Sequence, residues 1–348
     1  VSGAAPPVDL RSDTVTQPTP AMRRAMARAR VGDARRGEDP SVRALEERAA
    51  EIFGREAGLF VPSGTMANLA AVAAWTRPGE VVVASASSHL AGRETPGIAG
   101  LAAVAVSGIA TPGGIFTAAD VERELDAAAR AGLRASLVAA ENTHNAGGGT
   151  VFPLAELRRI RALCRRAGIR FHLDGSRIFN AAVASGTPPR AYGAACDSLM
   201  FCLSKGLGAP VGSVLLGDRA FIEEAREAAW RMGGGMRQAG IVAAGGLFAL
   251  AHHVQRLAQD HENARRLARG LAAIPGVRVV NDPVETNIVL FRWETPRLDL
   301  PAARRELARR GLLLDDRNFP LFRAVTHLGV GRREIALALR VVAEVLGG

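Results

Sequence analysis

The sequence predicts an α/β protein: a large, mostly parallel sheet with helices on both faces, followed by a smaller C-terminal α+β unit. Three observations carry that expectation. Apolar runs of strand length alternate with helical stretches over residues 59–216, and a repeated strand–helix–strand order makes neighbouring strands parallel and buries both faces of the sheet. Beyond Pro275 the rhythm changes to short strands interleaved with two helices. The chain has 348 residues, 48% of them hydrophobic, enough for one large core and a second, smaller one. The organisation reads as an N-terminal arm over 1–20, a large domain over 21–247 and a small domain over 248–348.

Residues 9–19, DLRSDTVTQPT, are too polar for a core strand and too specific for a linker; they read as an extended arm laid over another part of the molecule. A short basic helix is expected at 21–30, a loop at 31–40, and a helix from Ser41 to Phe53. Strands are expected at 59–61, 80–84, 101–107, 136–140, 169–173 and 197–202, with 211–216 following so soon that the last pair reads as hairpin-like. Helices fall between them at 63–75, after His89, at 117–131 and at 154–167. Thr117 with Asp120 three residues on makes a variant capping box. Residues 220–272 are helical, interrupted by GGGMRQ at 233–238. The small unit holds strands at 277–280, 287–293, 312–316 and 324–328 and helices at 301–310 and 333–346.

The formal charge of +10 suggests a nucleic-acid partner. However, the arginines alternate with acids at helical spacing in ELRRIRALCRR, HENARRLARG and PAARRELARRG, as solvated helix faces do. One tyrosine and 5% aromatics leave no base-stacking platform, so no nucleic-acid partner is expected. Cys164, Cys196 and Cys202 are odd in number, lack metal-site spacing and sit in or beside core elements, which reads as buried thiols in a reducing compartment. No signal-peptide pattern is seen, and the longest apolar region, near 240–250, is too short and glycine-broken to span a bilayer. The expectation is a cytoplasmic protein with no membrane partner and no metal.

The chemistry centres on SLMFCLSKGLGAPVGS at 198–213. Lys205 within it is the only lysine in the chain; the other basic residues counted are arginine. Arginine can replace lysine wherever a solvated charge suffices, but not where a primary amine must lose its proton and act as a nucleophile. The apolar run before it places that amine at the end of a buried strand, facing a crevice. Asp174 ends another strand, FHLD, one crossover away, and ligands of open parallel sheets sit outside the carboxyl ends of the strands. Ser63, Gly64 and Thr65 follow a third strand and open a helix, a phosphate cradle in form, although the same residues also make an ordinary helix cap. An amine, a carboxylate for a ring nitrogen and a phosphate nest together describe the needs of pyridoxal phosphate. His89 could lie over its ring or be a half-buried surface histidine. ENTHN at 141–145 is hard to explain as packing, and Arg323 could clamp a carboxylate or form a surface ion pair.

With these residues in view, the chain resembles the L-threonine aldolases. They form part of the β-eliminating lyase group, pyridoxal phosphate enzymes of the transferase-like fold type I. The resemblance runs from about Asp9 to Val330 and rests on DLRSDTVTQPT, GEDPSV, FVPSGTMAN, ENTHN, FHLDGSRIFNAAVA, LSKGLGAPVGS, GGGMRQAG and RAVTHL in that order. It implies that Lys205 bears the cofactor, Asp174 partners its ring nitrogen, His89 stacks on the ring, and Ser63, Gly64 and Thr65 hold the phosphate. It further implies that Ser12, Arg177 and Arg323 receive the substrate carboxylate, with Arg177 also near the cofactor's 3′ oxygen. Arg237 would reach an active site, its own or the neighbouring subunit's. The implied assembly is a homotetramer of tight dimers with shared sites, and the implied reaction is retro-aldol cleavage of a β-hydroxy-α-amino acid to glycine and an aldehyde. His89 is the candidate base for the β-hydroxyl proton.

The chain departs from the family around the substrate's β-carbon. Arg36 replaces the usual tyrosine before GEDP, no histidine stands near Ala131, Trp230-Arg231-Met232 replaces a segment that usually carries a lysine, and Ser176 replaces an alanine. The cofactor apparatus is intact, so reaction class is better defined than substrate. The alternatives are a related lyase, racemase or transaldolase on another amino acid, or a non-catalytic cofactor-binding protein.

Overall fold

A computed structural model describes residues 6–347. The arm begins with strand β1 (Val8–Asp9) and leads to α1 (Pro20–Ala27), capped by Thr19, and α2 (Pro40–Phe53). Asp39 caps α2 by accepting from the backbone N–H groups of Ser41 and Val42, which satisfies donors a helix start otherwise leaves unpaired. The large sheet and its covering helices then follow in sequence as β2 (Ala57–Val61), α3 (Gly64–Trp75), β3 (Val81–Ser85), α4 (Thr95–Ala102), β4 (Ala105–Ile109), α5 (Ala118–Arg130), β5 (Ala135–Glu141), α6 (Leu154–Arg166), β6 (Arg170–Asp174), α7 (Ile178–Ser185), α8 (Pro189–Gly193), β7 (Ser198–Cys202) and β8 (Ser213–Gly217). The spatial order is β2-β8-β7-β6-β5-β3-β4. Only β8 runs against its neighbours, so the expected mostly parallel sheet and the expected antiparallel pairing of its last two strands are both present.

Strand periodicity divides the side chains between two buried faces. Val83, Val138, Phe171, Leu199 and Phe201 join one core, where Phe201 packs against Phe53 and Phe179 with ring centroids 5.4 and 5.2 Å apart. Val82, Ala84, Leu137 and Ala139 point the other way, toward α3 and α4. The capping box forms: Thr117 N donates to Asp120 Oδ2 at 2.7 Å and Asp120 N donates to Thr117 Oγ1 at 3.2 Å.

Beyond the sheet come α9 (Arg219–Arg231), α10 (Gly240–His252) and α11 (Leu257–Ala272), then β9 (Val277–Val279), β10 (Ile288–Trp293), α12 (Leu300–Arg309), β11 (Leu312–Leu313), β12 (Asp315–Asp316), β13 (Leu321–Val325) and α13 (Arg332–Leu346). Leu250 and Leu257 belong to the large core, whereas Ala264, Leu267 and Leu271 belong to a second core with β10 and α13. We propose that the two units divide along α11 rather than near Leu247.

Three local expectations are revised. The strand expected at 101–107 starts at Ala105, because Leu101 and Ala102 complete α4, which ends at Ala103 in a left-handed conformation (φ 53°). Residues 312–316 form two strands in different sheets: β11 pairs with the arm strand β1, and β12 with β13. Residues 175–196, to which the pattern assigns no element, hold α7 and α8. The arm lies over the small unit, with Val8 and Leu10 buried in its core. Among the described residues no helix is long and apolar enough to cross a membrane.

His261, on α11, is hydrogen-bonded through Nε2 to Asn180 Nδ2 at 3.1 Å. Burial, aided by the charges of Arg265 and Arg256, pushes its pKa from 6.5 down to about 4. Between those values the unfolded chain binds a proton that the folded chain refuses. The stability this group contributes is therefore complete above pH 6.5 and is lost as pH falls toward 4. Urea denaturation midpoints measured across this window should fall with pH, and less steeply in His261→Gln.

Candidate active site

The carboxyl ends of β2, β3, β5, β6 and β7 deliver Ser63, His89, Asn145, Arg177 and Lys205 to one edge of the sheet. Lys205 sits in the turn after β7, where Leu203 N donates to Gly212 O at 2.9 Å and Gly208 N donates to Lys205 O at 2.8 Å. Gly208 has φ +77°, the left-handed region that makes glycine the fitting residue for this turn. The Lys205 ammonium is close enough to act on both Asp13 and Asp174.

Asp174 is 1% exposed. Asn68 Nδ2 donates to its Oδ2 at 2.9 Å and Ser176 N to its Oδ1 at 3.0 Å. Burial opposes ionisation, but the charges of Lys205 and His89 with these two donors hold the carboxyl below its usual pKa. Behind it, His172 Nε2 donates to Asn68 Oδ1 at 3.2 Å, and His172 Nδ1 is hydrogen-bonded to Ser198 Oγ at 2.9 Å. Burial keeps this imidazole neutral. Asn68 therefore fixes the Asp174 carboxylate with one end and the His172 ring with the other.

His89 is half-buried. Its backbone N–H donates to Glu141 Oε2 at 2.8 Å, and its Nδ1 lies 3.8 Å from Glu94 Oε1, too far for a hydrogen bond but near in charge. Glu94, against the opposition of burial, together with Glu141 and Asp174, raises the imidazole pKa above 6.5. The Glu94 carboxyl is itself raised by burial and by Asp174, and it accepts from Asn68 Nδ2 at 3.0 Å.

Two arginines converge from different units. Arg177 Nε and Nη2 each donate to the Asp13 carboxylate at 2.7 Å, a bidentate pair with both residues buried. Burial opposes its ionisation, but Arg177 and Lys205 hold the Asp13 pKa at about 2. Arg323, on β13, donates through Nη1 to Asn145 Oδ1 at 2.9 Å, and Arg177 Nη1 reaches the same oxygen at 3.4 Å. Arg323 Nη2 donates to Arg11 O and lies 2.9 Å from Asp315 Oδ2, while its Nε is buried without an acceptor. Burial and the neighbouring Arg317 and Arg177 lower its pKa to about 10. The gathering of Arg323, Arg177 and Arg317 at this point favours an anion such as a carboxylate.

At the start of α3, Ser63 Oγ accepts from Met66 N at 3.1 Å. The N–H groups of Gly64 and Thr65 find no acceptor among the described residues. A Cβ on Gly64 would stand 2.8 Å from Cys202 Sγ, so only glycine lets this helix end press against β7. Exposed N–H groups on a positive helix terminus fit a phosphate. Among the described residues no group of three or more His, Cys, Asp or Glu side chains is placed to hold a metal ion.

The β-eliminating lyase family model matches residues 9–294. The chain belongs to the β-eliminating lyase family. It is 40% identical over 333 residues to low-specificity L-threonine aldolase 1 of Arabidopsis thaliana, covering 92% of this chain and 91% of the relative. It is also 40% identical to the low specificity L-threonine aldolase of Escherichia coli strain K12, covering 94% and 96%. Among solved structures, the threonine aldolase of Leishmania major superposes with a TM-score of 0.84 at 22% identity, covering 97% of this chain and 99% of that one. That likeness establishes the fold.

In this β-eliminating lyase Ser12 stands on the arm between Arg11, whose carbonyl accepts from Arg323, and Asp13, the partner of Arg177. Ser12 Oγ accepts from Thr14 N at 3.2 Å, capping a turn of the arm. Arg237 is not brought to Lys205 of its own chain; it pairs with Asp33 at 3.2 Å on the surface. Asp13, Asn68 and Glu94 also belong to the site, although none is among the candidates from sequence. Asn68 carried a usable signal, being the lone amide in the apolar stretch GTMANLAAVAAW, where a buried polar side chain must have partners.

Proposed function

We propose that this chain is a pyridoxal phosphate-dependent aldolase that cleaves β-hydroxy-α-amino acids of the L-threonine or L-allo-threonine type to glycine and an aldehyde. The observation that carries this reading is the meeting of the chain's only primary side-chain amine, Lys205, with the buried, ionised Asp174 at one sheet edge. When bound, pyridoxal phosphate supplies an aldehyde for amines and a ring that accepts the electron pair of the breaking Cα–Cβ bond. Lys205 would hold the cofactor through its Nζ; Asp174, fixed by Asn68, would pair with the ring nitrogen; and the N–H groups of Gly64 and Thr65, with the Ser63 hydroxyl, would hold the phosphate. Arg323, with Arg177 and Asn145 behind it, orients the substrate carboxylate.

His89 takes the proton from the β-hydroxyl, and it can do so only as the free imidazole. Because its folded pKa is raised, kcat/KM should fall on the acid side with a pKa above 6.5. Glu94→Gln removes the first cause of that shift and should move this limb to lower pH. A limb unmoved in Glu94→Gln and present in His89→Asn would assign the base elsewhere. The function itself is tested by incubating holoenzyme with L-threonine and L-allo-threonine. Equimolar glycine and acetaldehyde support aldol cleavage; pyruvate, ammonia or a D-amino acid would support a sister reaction.

We further infer a cytoplasmic homotetramer with shared sites. Its supports are three unpaired buried cysteines and the exposed apolar Trp230 and Ile241 flanking the loop that carries Arg237. Light scattering should return four chain masses; a monomer at micromolar concentration would exclude the assembly.

A further inference from the structure

Building on the aldolase reading, we propose that the substrate side chain selected here carries an anionic group beyond the β-carbon, as in 3-hydroxyaspartate. A cavity of about 420 Å³ lies beside the carboxylate clamp and shares Asn145 with it. Its walls include Arg93, on the turn that carries His89, and Arg317, between β12 and β13. Arg93 has no carboxylate within 4 Å and no side-chain hydrogen bond among the described residues. Arg317 Nε is closed to solvent without an acceptor, since Asp315 Oδ2 stands 3.6 Å away and already serves Arg323 at 2.9 Å. Asp316, the other acid of the wall, is paired with Arg304.

The acids near the cavity are thus committed, and the guanidinium-bearing side chains of Arg93, which is exposed, and Arg317 line it. With an α-carboxylate held at Arg323, a second carboxylate reaching into this cavity gives those side chains charge-assisted partners. A methyl group there leaves them unpaired, and a site built to bind a polar group discriminates strongly against an analogue that lacks it. The reaction balances without an oxidant. The Cα–Cβ bond of 3-hydroxyaspartate breaks, the β-hydroxyl loses its proton to His89 and becomes the aldehyde oxygen of glyoxylate, and the α-carbon gains a proton to give glycine.

The test pairs molecules of one shape and different charge. Glycine release by the holoenzyme is compared for 3-hydroxyaspartate and 3-hydroxyasparagine, and calorimetric Kd values are compared for the uncleavable L-aspartate and L-asparagine. The acid should be preferred at least about tenfold in both comparisons. Arg93→Gln and Arg317→Gln should each reduce the ratio, with Arg93→Lys retaining part of it. Equal handling of acid and amide, or a preference indifferent to both glutamine variants, overturns the proposal. If both hydroxy compounds yield glycine equally, the aldolase reading survives and charge selection fails. If aspartate binds preferentially but neither compound yields glycine, charge selection survives and the aldolase reading fails.

Discussion

Lys205→Arg should fold normally and lose more than about 10³-fold in kcat/KM, or ~4 kcal/mol of transition-state stabilisation. The substitution separates the two things Lys205 provides. Its positive charge, which acts on Asp13 and Asp174, is kept. Its capacity to lose a proton and bond to a carbonyl carbon is removed, because guanidinium stays protonated. A variant with unchanged denaturation midpoint but no glycine production assigns the role to amine chemistry. Residual activity within tenfold of wild type would reduce Lys205 to an electrostatic residue.

Asp13→Ala should destabilise the protein by about 3–5 kcal/mol, because Arg177 would be left charged and buried without its bidentate partner. Urea denaturation measures the loss. Asp13→Ala combined with Arg177→Met should recover much of it, since no uncompensated charge then remains. The same pair ties the arm to the sheet: Asn287, beside β10, also donates to Asp13 Oδ2 at 3.2 Å, so one carboxylate joins the arm, β6 and the small unit. Activity should fall with stability in the single variant, since Arg177 is also the support behind Arg323 at Asn145.

The sheet was legible because buried strands and covering helices write different periods into the chain, and each polar cluster followed an apolar run. Lys205 stood out because no other lysine competes with it. Asp13 could not be found this way. Its partner Arg177 lies 164 residues on, and a lone aspartate in a polar arm looks like any solvated acid. Glu94 was hidden for a similar reason: its burial comes from the packing of α3 against α4, not from its own neighbours in sequence. Helices α7 and α8 are short and lack a long apolar period, so tertiary packing against α2 and α11 decides them. The pairing of Arg237 with Asp33 joins residues 204 apart across the surface, a contact no local pattern encodes.

The most direct measurement is reduction of the purified holoenzyme with borohydride, followed by mass spectrometry of its peptides. The account predicts a yellow protein that bleaches on reduction and carries one pyridoxyl group, on the peptide containing Lys205. A colourless protein after incubation with pyridoxal phosphate, or a label found only on the amino terminus, would contradict it.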